Sequence, residues 1–122
     1  MLYISGDRES RIRFARIARR WTGIKLFVVE GGRMGLDMVA DRRLGLVVVD
    51  EALPDMNAEA LVRHFRQRGL LGFAPIIVLG DSGRATAARF LWAGASVYLT
   101  KPLDMVEVDR AVVNLMEVAS LR

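Results

Sequence analysis

A chain of 122 residues, 52% of them hydrophobic, has room for one well-packed domain and no second one. With no cysteine and one histidine, His64, it can form no disulfide, thiol nucleophile or Cys/His zinc set. The net charge of +4 comes mainly from arginines spread over several segments with no interleaved aromatics, a pattern that argues against a nucleic-acid partner. No apolar run approaches membrane-spanning length, and the chain opens in strand-like residues without a signal peptide. The expectation is a cytoplasmic protein with no membrane partner.

Leu2-Tyr3-Ile4 reads as a short first strand, followed by the polar corner Ser5-Gly6-Asp7-Arg8-Glu9-Ser10. Phe14, Ile17, Ala18 and Trp21 then recur at helical spacing on an arginine-rich first helix. Residues 24–29 predict a second strand, and Gly31-Gly32 turns into a second helix with Met34, Met38 and Val39 inward. Residues 46–49 predict a buried third strand that ends in Asp50, ahead of a loop containing Pro54. Leu61, Val62 and Phe65 mark a third helix closed by Gly69, with His64 on its solvent side.

The fourth strand is expected at residues 76–79, and the loop Gly80-Asp81-Ser82-Gly83 leads into a fourth helix capped by Gly94. Its core-facing set is expected to be Ala87, Phe90, Leu91 and Ala93 or Gly94, which leaves Trp92 at the rim as an interface anchor. Residues 96–100 predict the fifth strand, broken by Lys101-Pro102. Asp104 and Glu107 then open a last helix with Val108, Val112, Leu115 and Met116 inward. Five strands alternating with five helices specify an α/β domain with a parallel sheet covered on both faces. In such sheets chemistry sits beyond the carboxyl ends of the strands, and Asp50 lies there.

Asp50 at a strand end, Pro54 four residues on, and Ala93-Gly94-Ala95 with Tyr98-Leu99-Thr100-Lys101-Pro102 together resemble the receiver domain of bacterial response regulators. The resemblance spans essentially all of 1–122 as a single CheY-like domain. It implies a flavodoxin-like doubly wound (βα)5 fold, strand order 2-1-3-4-5, acting in a two-component phosphorelay rather than as an enzyme. It also implies that Asp50 is the phosphoacceptor and that Lys101 contacts the phosphoryl group, with a cis Lys101–Pro102 bond. Tyr98 matches the aromatic switch position. The implied partners are a histidine kinase or another signalling protein, met on the face of the fourth helix, fifth strand and fifth helix, where a homodimer is also a candidate.

The chain departs from the family pattern chiefly at three positions, with Ala58 in place of the usual glycine as a minor fourth. Ser5 and Gly6 stand where receivers carry a pair of Mg²⁺-binding acids, and Gly80 stands where they carry Thr or Ser. Mg²⁺ binds through carboxylates, waters and phosphate oxygens, so the expected metal site is weak and rests on Asp50. Asp7 could contribute to it, although Asp7 also reads as the N-cap of the first helix. Asp81 could repel a phosphoryl group or act as a ligand, and Ser82 could supply a hydroxyl or cap a helix. Two mechanisms stay open: a weakly phosphorylated receiver, or a phosphorylation-independent interaction module. A flavin- or nucleotide-binding protein on the same fold is a distant alternative, because residues 5–10 are a poor phosphate cradle and no flavin or nucleotide is expected.

Overall fold

A computed structural model describes residues 1–120, and the side chains of residues 1–116. The predicted domain of 1–122 thus ends on two residues that lie outside the described ones. The elements are β1 (Leu2–Ile4), α1 (Arg8–Ala18), β2 (Phe27–Val29), α2 (Gly32–Asp41), β3 (Val47–Asp50), α3 (Ala58–Gln67), β4 (Ile76–Gly80), α4 (Arg84–Ala93), β5 (Val97–Thr100) and α5 (Met105–Ser120). The strands form one sheet in the order β2-β1-β3-β4-β5, and every pair is parallel. This is the expected flavodoxin-like order.

Side-chain alternation along the central strands divides the core into two layers. Val47 and Val49 of β3, with Ile76 and Val78 of β4, pack under α2, α3 and α4 against Val39, Leu61, Phe65 and Phe90. Leu46, Val48, Ile77 and Leu79 face the other way, under α1 and α5, against Phe14, Ile17, Trp21, Val108 and Val112. Full burial of each such side chain stabilises the fold by roughly 1.5–3 kcal/mol before the entropy of ordering is subtracted. Tyr3 stacks on Phe14 at 4.2 Å, and Trp21 closes this layer by donating its indole N–H to Asp109 at 2.6 Å.

Side-chain caps set four of the helix starts. Asp7 caps α1 by accepting from the Ser10 amide, and Asn57 caps α3 by accepting from the Ala60 amide. The start of α2 has only Gly31 at its own cap position. There Asp55, from the loop after β3, accepts from the amides of Gly32 (2.9 Å) and Arg33 (3.0 Å). At α5, Asp104 accepts from the Val106 amide at 2.8 Å.

The packing differs from the sequence expectation in three places. Met34 is half exposed rather than inward, because α2 buries Gly32, Gly35 and Val39 instead, with Gly35 against Ile4 of β1. A Cβ at Gly35 would sit 2.5 Å from Ile4 Cδ1, so the close approach fixes which way the helix is rolled. Leu91 is likewise half exposed, since α4 buries only the narrow stripe of Phe90 and Ala93. The second strand is shorter than residues 24–29: pairing begins at Phe27, while Ile24 and Leu26 pack against the α1–α5 layer.

Candidate functional site

The carboxyl end of β3 carries two consecutive carboxylates, Asp50 and Glu51, and strand alternation sends them to opposite faces of the sheet. Asp50 follows Leu46 and Val48 towards α1 and α5. Glu51, whose amide donates to Leu79 O at 2.8 Å, follows Val47 and Val49 towards α4.

Asp50 is 2% exposed and surrounded by protein donors. Its Oδ2 accepts from the Ser5 hydroxyl in a short hydrogen bond and from the Tyr3 hydroxyl at 3.4 Å. Lys101 Nζ lies 3.0 Å from Oδ1, an ion pair that is the one polar contact of that oxygen. Lys101 reaches this place from the end of β5, where its amide donates to Gly80 O at 2.8 Å, and the Lys101–Pro102 peptide is cis. Burial, and then the charge of Asp50, push the Tyr3 phenol well above its usual pKa.

Ser5 takes part through both of its oxygens. Its hydroxyl accepts from the Asp7 amide at 3.2 Å while donating to Asp50, and its carbonyl accepts from Arg11 at 2.8 Å. Gly6 lies beneath the Pro54 ring, where a Cβ would meet Pro54 Cδ at 2.7 Å. Asp7 turns to its own helix, its carboxylate accepting from the Ser10 hydroxyl at 2.6 Å and the Ser10 amide at 3.1 Å. The Ser10 hydroxyl hydrogen bond is the main reason the Asp7 carboxyl is held below its usual range. Among the described residues, no three His, Cys, Asp or Glu side chains converge to hold a metal ion. A cavity of about 240 Å³ opens on this side, between α1 and the loop after Lys101, walled by Tyr3, Phe14, Ile17, Pro102 and Leu103.

On the opposite face, Tyr98 points inward from β5 and donates its hydroxyl to Glu51 Oε1 at 2.6 Å. The Ser82 hydroxyl donates to Glu51 Oε2 in a short hydrogen bond, and the Ser82 amide donates to Tyr98 Oη at 3.2 Å. Burial works to raise the Glu51 carboxyl pKa, but the hydrogen bonds from Ser82 and Tyr98 outweigh it and hold the group below its usual range. Gly80 forms the floor of this cluster. A Cβ there would lie 2.4 Å from Tyr98 Oη and 2.7 Å from Glu51 Oε1. Asp81 is exposed.

Asp50, Ser5 and Lys101 thus converge on one face, and Gly80, Tyr98 and Ser82 on the other, while Asp7 joins neither. Glu51 is the residue that sequence reasoning missed. The available signal was parity: the residue after Asp50 has to share a face with Val49, Gly80 and Tyr98. Trp92 stands 91% exposed on α4, and Val106 and Val113 are exposed seven residues apart on α5.

Three comparisons bear on what this arrangement belongs to. The family described as the response regulator receiver domain matches residues 2–113. The chain is 33% identical over 104 residues to the KDP operon transcriptional regulatory protein KdpE of Escherichia coli, covering 84% of this chain and 45% of that protein. It is 33% identical over 94 residues to the TorCAD operon regulator TorR of the same organism, covering 77% of this chain and 40% of that one. The chain therefore spans less than half the length of these relatives. Among solved structures it resembles the signal receiver domain of a histidine kinase from Syntrophus aciditrophicus, at 26% identity and a TM-score of 0.85, covering 95% of this chain and 88% of that one. The Vibrio cholerae chemotaxis protein CheY4 shares the fold at 18% identity and a TM-score of 0.84, covering 93% and 95%. Receivers are generally non-enzymatic modules that bind Mg²⁺ and meet histidine kinases and other signalling proteins. No helix among the described residues is long and apolar enough to cross a membrane. With a family match over nearly its whole length and Asp50 and Lys101 paired at the strand ends, this chain belongs to the response regulator receiver domains of two-component systems.

Proposed function

We propose that this receiver is atypical: it signals through protein–protein contacts while Asp50, at the phosphoacceptor position, is poorly equipped to be phosphorylated. The observation that carries this reading is that Asp50 is 2% exposed, with Oδ2 taken by the Ser5 and Tyr3 hydroxyls and Oδ1 facing Lys101 in an ion pair. Phosphoryl transfer needs a free oxygen for in-line approach and cations to take up the developing charge. Lys101 would supply one such cation and contact the phosphoryl group, with Pro102 turning the chain behind it.

The donors around Asp50 make a poor Mg²⁺ site. Ser5 offers a hydroxyl already bonded twice, its carbonyl faces Arg11, Gly6 has no side chain, and Asp7 is committed to its helix. A hard dication held by one carboxylate binds weakly. Gly80 supplies no hydroxyl to draw on a phosphoryl group, so Tyr98 has no phosphorylation-linked pull. Output then runs through the α4-β5-α5 face, where Trp92 is the anchor for a histidine kinase, another signalling protein or a second copy of the chain in the cytoplasm. In the limiting case the domain is a phosphorylation-independent interaction module.

Incubation with Mg²⁺ and acetyl phosphate followed by intact-mass measurement tests this. The expected result is little or no adduct. A stoichiometric phosphoryl adduct that disappears in Asp50→Asn would overturn the proposal.

A further inference from the structure

We infer that Glu51 is a positioning residue that latches Tyr98 inward and ties the β4–α4 loop to β5, independently of events at Asp50. The inference rests on the atypical-receiver reading and adds a residue with no part in that reading. Three hydrogen bonds carry it. Glu51 spends one carboxylate oxygen on the Tyr98 hydroxyl and the other on the Ser82 hydroxyl, and the Ser82 amide closes the ring by donating to Tyr98 Oη. Each of the three residues is thus bonded to the other two, Ser82 through both its hydroxyl and its amide. Hydrogen bonds to a charged acceptor are stronger than neutral ones, so the carboxylate is the centre of the set.

Gly80 completes the latch by having no side chain. The phenol oxygen and the Glu51 carboxylate occupy the space that a Cβ at position 80 would need, with contacts of 2.4 and 2.7 Å. Glycine at 80 and glutamate at 51 are therefore one device: the first vacates the volume, and the second fills it with an acceptor for Tyr98. The Tyr98 ring also packs against Phe90 of α4 at 5.8 Å between centroids. The latch thereby fixes β5, the loop at residues 81–83 and α4 relative to one another. Asp50 and Glu51 share no side-chain hydrogen-bond partner, and the two faces meet through the backbone of β3 and through the Lys101 amide on Gly80 O.

The test combines amide hydrogen exchange at Ser82 with 19F NMR of the chain labelled with 3-fluorotyrosine. Only Tyr3 and Tyr98 report, and Tyr98→Phe assigns them. In Glu51→Ala, Ser82 exchange should accelerate about tenfold or more, and the Tyr98 resonance should move towards its solvent-exposed value while Tyr3 stays in place. Glu51→Gln keeps one acceptor and should restore part of both effects, which a purely steric role would not distinguish from wild type. Unchanged Ser82 exchange and an unmoved Tyr98 resonance in Glu51→Ala would overturn the latch. Acetyl phosphate with Mg²⁺ separates this inference from the reading beneath it. An Asp50 adduct that leaves Tyr98 unmoved supports the latch while overturning poor phosphorylation; an adduct that shifts Tyr98 in the wild-type chain overturns the latch itself.

Discussion

The two carboxylates at the end of β3 share a pattern and differ in setting. Each receives a tyrosine hydroxyl and a serine hydroxyl: Asp50 from Tyr3 and Ser5, Glu51 from Tyr98 and Ser82. Asp50 is sealed in the core with an ammonium group beside it, whereas Glu51 is only partly covered and has no cation in its ring. A buried ion pair is expensive to break from one side, because the remaining charge is left without a partner. A partly solvated hydrogen-bonded ring is cheaper to open, and water takes up whatever is released. One face is therefore built to stay shut, and the other to hold a posture that a modest perturbation can release.

The sharpest way to break the contrast is Ser5→Asp. It removes the hydroxyl that Asp50 accepts from and sets a second carboxylate beside it, out of water. Two acids in such a site cannot both ionise comfortably, so a loss of about 3 kcal/mol at neutral pH is expected in urea unfolding, partly recovered on adding Mg²⁺. Next in size is Gly80→Thr, which restores the family hydroxyl on the other face. Its Cβ collides with the Tyr98 phenol and the Glu51 carboxylate, and overpacking of this kind costs roughly 2 kcal/mol. Thermal unfolding should show the loss, with the Tyr98 ring displaced.

Tyr3→Phe is expected to cost about 1 kcal/mol at neutral pH through one buried hydroxyl. Its clearer mark lies in alkali. The folded-state pKa of Tyr3 is raised, so the stability it contributes is complete below pH ~10 and is lost as pH rises towards the folded value. Stability measured from pH 9 to 12 should fall less steeply in Tyr3→Phe than in wild type. At the acid end the signs reverse: Glu51, Asp55 and Asp7 all have depressed values, so their contributions are present above the ordinary carboxylate range and are lost below it. The smallest effect is Trp92→Ala, at most about 0.5 kcal/mol in stability, with a partner or self-association signal as the quantity that changes.

Much of the frame was legible in the sequence because it depends on local pattern. Runs such as Leu46 to Val49 and Ile76 to Leu79 mark buried strands, and the helices between them carry their stripes at 3.6 spacing. Asp50 and Lys101 were legible because each ends a strand on the same edge of the sheet. What the sequence hid depends on contacts between segments far apart in the chain. Gly35 rolls α2 and turns Met34 outward only because Ile4 lies beneath it. Asp55 caps a helix that starts 23 residues earlier in the chain, and no local signal marks that. Glu51 looked like a loop residue, and its role appears only once Gly80 and Tyr98 stand beside it.

The Pro54 ring over Gly6 bears on which changes this domain can tolerate one at a time. A five-membered ring has no side-chain rotamers with which to retreat, so any residue larger than glycine at position 6 must move the loop backbone. That loop cannot move freely, because the next residue, Asp55, holds the first two amides of α2. An acid introduced at position 6 would therefore lever on a helix on the far side of the strand. Rebuilding a metal-binding edge is consequently a concerted task in which the loop, the helix cap and the strand end have to change together.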